Sequence, residues 1–192
     1  MSRMWKRWAL AAGVVAVSTA ALAAPPSAAM LGNACAGCHG TNGASAGLTM
    51  PSLAGQTKES IVFSMKKFKS GERQSTIMGQ LARGYSDAEI ESMADFFSSQ
   101  KAPLSDQVLD PAKVAKGASL QEGNCSGCHI ENGKAGKNNA ISVAGQWLPY
   151  LQIQMNLYLT EQRKMPGKMA QKVNPLSKED LDALMHFYAS VK

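Results

Sequence analysis

Apolar residues at Ile90, Met93, Ala94 and Phe97 follow the i, i+3, i+4, i+7 spacing of a helix with one buried face. Ser86-Asp-Ala-Glu89 stands in front of them as a capping box, in which the serine oxygen and the glutamate side chain each satisfy a free amide of the first turn. The same arrangement returns further along. Ser177 opens it, and Leu181, Leu184, Met185 and Tyr188 take the apolar positions. A second stripe, Ile61, Met65 and Phe68, predicts a middle helix from about Lys58 to Lys69. Leu151, Met155 and Tyr158 repeat it, with Pro149 near the first turn, where a missing amide hydrogen costs nothing. Asp110 as cap and Pro111 at the first position predict another helix, with Val114 and Leu120 inward. No window alternates as a strand does, so the expected fold is all-α.

These echoes belong to one repeat. Cys35 and His39 match Cys125 and His129 at an offset of 90 residues, as do Ala54-Gly-Gln56 and Ala144-Gly-Gln146, and Arg73 and Arg163. One extra residue then enters the second half, and Met78 matches Met169 at an offset of 91. A fixed offset over most of the chain means two copies of one domain. The expected division is residues 24–99 and 110–192, joined by a polar, Pro-containing linker over 100–109.

Residues 1–23 are set apart by composition. Arg3, Lys6 and Arg7 precede an apolar run of about 15 residues, short of the roughly 20 that span a bilayer. Ala21-Leu-Ala23 then offers the small residues that a signal peptidase needs. This reads as a secretory signal peptide cleaved after Ala23, and it places the protein in the periplasm with no membrane span in the mature chain. The leader holds three of the 20 basic residues, which leaves 17 against 14 acidic ones, a net charge of +3. No run of Lys and Arg interleaved with aromatics occurs, so nucleic acid is excluded as a partner.

All four cysteines after the leader lie in two Cys-x-x-Cys-His motifs, Cys35-Ala-Gly-Cys38-His39 and Cys125-Ser-Gly-Cys128-His129. None is left for a structural disulfide, yet a domain of about 80 residues rarely stands without a staple. A non-protein group is therefore expected in each core. On a helical turn, positions i, i+3 and i+4 share a face. Two thiols so placed reach the two vinyl groups of one porphyrin, and the histidine beside them meets its iron. This is the attachment pattern of covalent haem c, one per copy. A structural zinc needs four protein ligands, and each copy offers three. Dithiol exchange belongs beside a βαβ pattern, which is missing.

The second axial ligand follows from counting. Two bis-histidine irons need four histidines, and the chain has three. His186 matches Asp95, so the repeat does not use it, and it is expected on the polar side of the last helix. Methionine is the other common ligand. Met65 and Met155 fall on a helical stripe and read as core. Met78 sits in Ser75-Thr-Ile-Met-Gly79, which reads as a loop. It follows His39 by 39 residues, and Met169 follows His129 by 40. Met78 and Met169 are therefore the expected ligands, with Met165 the weaker candidate in the second copy. An iron with both axial positions filled passes electrons and does not bind substrate, so no catalytic residue is assigned. The Pro51 carbonyl is placed to orient the His39 imidazole, with Ile141 as its counterpart. Trp147 and Tyr150 suit either the second haem's wall or an ordinary core. Arg73 and Arg163 suit either haem propionates or solvated helix ends.

The paired motifs, the Ala-Gly-Gln turns and the distal methionines resemble the diheme class I cytochromes c. Ser75-Thr-Ile-Met-Gly79 with Gly84-Tyr-Ser86, Ala144-Gly-Gln-Trp-Leu-Pro-Tyr-Leu151, Lys168-Met-Ala170, and Leu181-Asp-Ala-Leu184 with Phe187-Tyr-Ala-Ser190 resemble, more narrowly, the cytochrome subunit of flavocytochrome c sulfide dehydrogenase. The resemblance implies two tandem class I cytochrome c domains and a heterodimer with an FAD-binding flavoprotein subunit that oxidises sulfide. This chain then takes the electrons and hands them to a soluble cytochrome or similar acceptor. No dinucleotide-binding glycine fingerprint follows a strand in this chain, in keeping with a separate flavoprotein. That family carries proline beside the second distal methionine, and Met165-Pro166 offers such a pair, which keeps Met165 in view beside Met169. The alternatives are a free carrier of the cytochrome c4 kind serving a terminal oxidase and a haem enzyme with an open iron.

Overall fold

The computed structural model describes residues 24–103 and 106–192. The proposed leader lies outside the described residues. The first copy contains α1 (Ala28–Asn33), α2 (Ala36–His39), α3 (Lys58–Ser70), α4 (Met78–Arg83) and α5 (Asp87–Ser98). The second contains α6 (Pro111–Leu120), α7 (Leu148–Leu159), α8 (Gly167–Val173) and α9 (Lys178–Ser190). A minimal antiparallel hairpin, β1 (His129–Ile130) and β2 (Ala135–Gly136), departs from the all-α expectation by two residue pairs. The described residues are otherwise helices and loops, as the periodicity predicts.

The predicted helix ends are present. Ser86 and Ser177 each close a full capping box, with Glu89 and Asp180 as the returning side chains. Asp110 accepts from the amides of Ala112 and Lys113 at the start of α6, with Pro111 in the first turn. In the first copy, Ile90, Met93, Ala94 and Phe97 are all buried, together with Ile61 and Met65. Each large apolar side chain taken from water this way contributes about 1.5–3 kcal/mol. The second core gathers Leu151, Val173, Leu181, Leu184, Met185 and Tyr188.

The last helices differ in one respect. In α9 the buried residues run unbroken from Ala183 to Ala189, His186 among them. The expectation that His186 faces solvent is therefore corrected. The reason is α6, which crosses α9 so closely that a Cβ on Gly117 would lie 2.1 Å from the Ala183 carbonyl oxygen. The neighbouring face of α9 is closed by the linker. The Asp110 amide donates to His186 Nδ1 at 3.2 Å, and Gln107 donates to the carbonyls of Gln146 and Ala189 and accepts from the Leu148 amide. The expected linker is thus strapped onto the second copy.

The two copies meet through polar side chains at matching positions. Gln146 holds Ser52 by both ends, accepting its amide at 3.0 Å and donating to its carbonyl at 2.8 Å. Gln56, the counterpart of Gln146, donates to the same Ser52 carbonyl at 3.2 Å. Ser142, the counterpart of Ser52, meets Ser60 through its amide at 2.8 Å and its hydroxyl at 3.0 Å. The recurring Ala-Gly-Gln turn supplies both glutamines, and its glycines sit at φ +72° and +70°, where a side chain is strained.

Candidate haem sites

In the first copy the motif folds as expected. Cys35 precedes α2, and its carbonyl accepts from the amides of Cys38 and His39 at 3.2 and 3.0 Å. One turn therefore carries both thiols and the imidazole. His39 is buried, and its Nδ1 lies 2.8 Å from the Pro51 carbonyl, the partner the sequence suggests. That bond places the proton on Nδ1 and leaves the Nε2 lone pair for a metal. Burial pushes the His39 pKa down, with the Pro51 carbonyl opposing it, so the imidazole is neutral and ligand-competent.

The second copy reaches the same end by another path. A π-helical turn over Gln121–Cys125 leads into the motif, and His129 opens β1. The Cys128 amide still bonds the Cys125 carbonyl at 3.1 Å. Burial again lowers the His129 pKa, opposed by the Ile141 carbonyl. Among the described residues, His129 Nδ1 is buried with no partner in full hydrogen-bonding geometry. Proline at position 51 delivers its carbonyl squarely, and isoleucine at 141 does so only loosely.

The thiols fit a tethering role. Burial pushes Cys35 and Cys125 upward in pKa, as their first cause. Such thiols are poor partners for disulfide exchange.

The methionines fall on both sides of expectation. Met65 is buried in the first core, as its helical stripe predicts. Met78 is not in a loop: it is the first residue of α4 and packs half-buried against that core. The N-cap, Ile77, has no capping side chain, and the Ser75 hydroxyl two residues before it accepts the Gly79 amide at 2.7 Å. A six-residue helix is too short to leave a periodic stripe, which is why the sequence reads as a loop. Met169 is the third residue of α8, and both it and Met165 pack on the second core.

Two aromatics and two arginines belong to the boundary between copies. Trp147 Nε1 donates to the Ser45 carbonyl at 2.9 Å, and the Tyr150 hydroxyl accepts from Arg73 at 3.3 Å. Arg73 and Arg163 both donate to Gln154 Oε1, at 3.0 and 2.8 Å, and lie over the rings of Phe68 and Tyr158. Neither is a solvated helix end. Burial, with Arg73 as the neighbouring charge, lowers Arg163 to about 10.

One pair escaped the sequence reading. Gln121 and Tyr188 are buried, the Tyr188 hydroxyl donates to Gln121 Oε1, and Gln121 Nε2 donates to the His129 carbonyl at 2.6 Å. Burial and the Cys125 thiol raise the Tyr188 pKa far above the ordinary phenol value, so it stays a donor. Their counterparts in the first copy are Leu31 and Phe97, both apolar and buried. That exchange of a polar pair for an apolar one was the available signal.

The cytochrome c family pattern matches residues 27–101 and 114–192, so the chain belongs to the cytochrome c family. It is a cytochrome c4-like protein of two cytochrome c domains, and its two Cys-x-x-Cys-His motifs fit two covalently bound haems c. It is 32% identical to cytochrome c4 of Pseudomonas aeruginosa over 136 residues, 67% of this chain and 63% of that protein. It is 44% identical to the cytochrome subunit of sulfide dehydrogenase of Chlorobaculum tepidum over 68 residues, 35% of this chain and 61% of that one. The chain thus spans a little under two thirds of the length of these two relatives. Reduced cytochrome c4 from Pseudomonas stutzeri superposes with a TM-score of 0.73 at 27% identity, covering 88% of this chain and all of that one. Among the described residues no helix is long and apolar enough to cross a membrane.

Proposed function

We propose that this protein relays electrons from an FAD-containing, sulfide-oxidising flavoprotein subunit to a soluble acceptor in the periplasm. It does so after removal of the leader over 1–23, with one haem domain over 24–99, a second over 110–192 and the linker between them. The observation that carries the reading is the 44% identity over 68 residues with a sulfide dehydrogenase cytochrome subunit. Cys35 and Cys38 tether one haem, and Cys125 and Cys128 the other. His39 with Met78, and His129 with Met169, would ligate the two irons. Bound haem supplies a one-electron ferrous–ferric couple, so two sites accept the two electrons of a reduced flavin one at a time. The histidines present Nε2, and methionine as the partner ligand raises the potential above that of a bis-histidine iron.

Purification under native conditions tests the partner. A flavin-containing subunit in stoichiometric amount supports the reading, and a chain that always runs alone overturns it. The second outcome favours a free carrier of the cytochrome c4 kind, which the longer stretch matched by cytochrome c4 supports. Met78→Ala and Met169→Ala test the ligands separately. Each is expected to abolish its own haem's long-wavelength methionine–ferric iron band. If Met165→Ala does so in the second copy and Met169→Ala does not, the ligand there is Met165.

A further inference from the structure

The duplication lets each position at one haem site be read against its twin at the other. At the first site the imidazole itself is held. His39 lies on α2, and its Nδ1 meets the Pro51 carbonyl at 2.8 Å. At the second site Ile141 stands where Pro51 does. His129 lies on β1, and among the described residues its buried Nδ1 has no partner in full hydrogen-bonding geometry. The second imidazole is therefore the less constrained of the two at its ring nitrogen.

What is held at the second site is the backbone of the same residue. Gln121 Nε2 donates to the His129 carbonyl at 2.6 Å, and Gln121 Oε1 accepts from the Tyr188 hydroxyl. This chain of bonds has one sense. A carbonyl only accepts, so the amide nitrogen faces His129, the amide oxygen faces Tyr188, and the phenol donates. Gln121 is 2% exposed and Tyr188 5%, so water does not compete for these bonds. Three elements are joined. Tyr188 comes from α9, His129 from β1, and Gln121 from the π-helical turn, where its carbonyl accepts the Ser126 amide at 2.9 Å. A π turn in a helical run frequently marks a functional position. The Tyr188 ring also lies beside the His129 ring, with centroids 5.9 Å apart. At the first site the two positions are Leu31 and Phe97, apolar and buried. The site with the ring bond thus has no polar pair, and the site with the polar pair has no good ring bond.

We infer that Gln121 and Tyr188 are positioning residues of the second site: they fix the aim of His129 Nε2 through its backbone carbonyl and ring face, as the Pro51 carbonyl fixes His39 through Nδ1. The inference rests on His129 as an iron ligand and on no partner protein. A hydrogen bond to the far nitrogen of a ligating histidine sets two things at once, the ring's orientation and its basicity. Here the orientation is supplied without the basicity, because no well-placed acceptor draws on the Nδ1 proton.

Paramagnetic proton NMR of the ferric diheme holoprotein tests this, because haem methyl shifts report the orientation of the axial ligands at each iron. Gln121→Leu is expected to displace the second haem's methyls and leave the first haem's in place, and Tyr188→Phe to displace the same set by less. Ile141→Pro supplies the missing ring bond. The Ala140 amide bonds the Lys137 carbonyl at 3.0 Å, as the Met50 amide bonds the Gly47 carbonyl at 3.0 Å, so the backbone ahead of position 141 already follows the first site. In the Gln121→Leu background, Ile141→Pro is expected to return the methyls toward wild type. Alone, it is expected to lower the second haem's potential in spectroelectrochemistry by strengthening the imidazole as a donor. A role in packing alone lowers the urea midpoint without moving the methyls of the folded holoprotein. Unmoved second-haem methyls, equal movement at both haems, or no return with Ile141→Pro refutes the positioning role, and an unchanged potential in the single variant refutes the account of basicity. If Gln121→Leu does not take up its second haem, Tyr188→Phe decides by the same methyls. His129→Ala is the control for ligation: it should abolish the second haem's low-spin set, and a variant that keeps it overturns the ligand assignment and this inference with it.

Discussion

Replacing Gln121 and Tyr188 by their first-copy counterparts, Leu and Phe, probes how the second haem site is held. Tyr188→Phe removes one hydroxyl without changing the ring, and leaves Gln121 Oε1 buried and unmet. A buried polar group without a partner costs about 1–3 kcal/mol. Gln121→Leu leaves two groups unmet, the Tyr188 hydroxyl and the His129 carbonyl, at a cost of about 2–5 kcal/mol by the same scale. In the double variant only the His129 carbonyl remains unmet. Its cost is again about 1–3 kcal/mol, well below the sum of the singles. The expected coupling is about 2–5 kcal/mol in favour of the double variant. Urea unfolding of the holoprotein followed by Trp147 fluorescence measures it, because Trp147 is the sole tryptophan beyond residue 23 and sits at the second copy. A double variant as unstable as the two singles added together would refute the reasoning, since the hydroxyl and the amide would then act independently.

Gln146→Ala strips two hydrogen bonds from Ser52 and leaves its amide buried and unmet, while its carbonyl keeps the Gln56 side chain. The copies should then melt as two separate transitions in calorimetry, about 1–3 kcal/mol less coupled; one shared transition contradicts this. Gly117→Ala drives a Cβ to 2.1 Å from the Ala183 carbonyl and must push α6 off α9. It should cost about 1–3 kcal/mol by the overpacking rule, read as a lower urea midpoint. Glu89 is held below the usual carboxylate range first by the Ser86 amide, and Asp180 first by Lys116. Their folded pKa values lie below the unfolded ones, so their contribution is present above about pH 4 and fades as pH falls through the lowered values. Glu89→Gln should flatten that acid limb in a pH series of unfolding midpoints.

Much of this architecture was legible because its signals are local or repeated. The Ser86 and Ser177 boxes and the Ile90–Phe97 stripe announce α5 and α9 directly. The Cys-x-x-Cys-His spacing announces its own chemistry, and the repeat doubles its weight. The Pro51 carbonyl was found because it lies near the motif. His186 was misplaced because its twin, Asp95, is exposed, and only the crossing of α6 and the strap of Gln107 bury the second position. Such packing comes from distant parts of the chain and leaves no period. The start of α4 rests on one serine hydroxyl. The Ser52–Gln146 and Ser142–Ser60 bonds join ordinary polar residues more than 80 positions apart, and nothing in either neighbourhood marks them.

Those bonds have a consequence of symmetry. Ser52 meets Gln146, and Ser142, the twin of Ser52, meets residues around the twin of Gln146. A surface that binds its own counterpart is what a two-fold homodimer uses. The chain is in effect a dimer whose subunits share one backbone. Joining them turns association into an intramolecular step with an effective concentration in the millimolar range for a short tether. A handful of hydrogen bonds between serines and glutamines, too few to hold free subunits together when dilute, is then enough to keep two redox centres at a fixed separation.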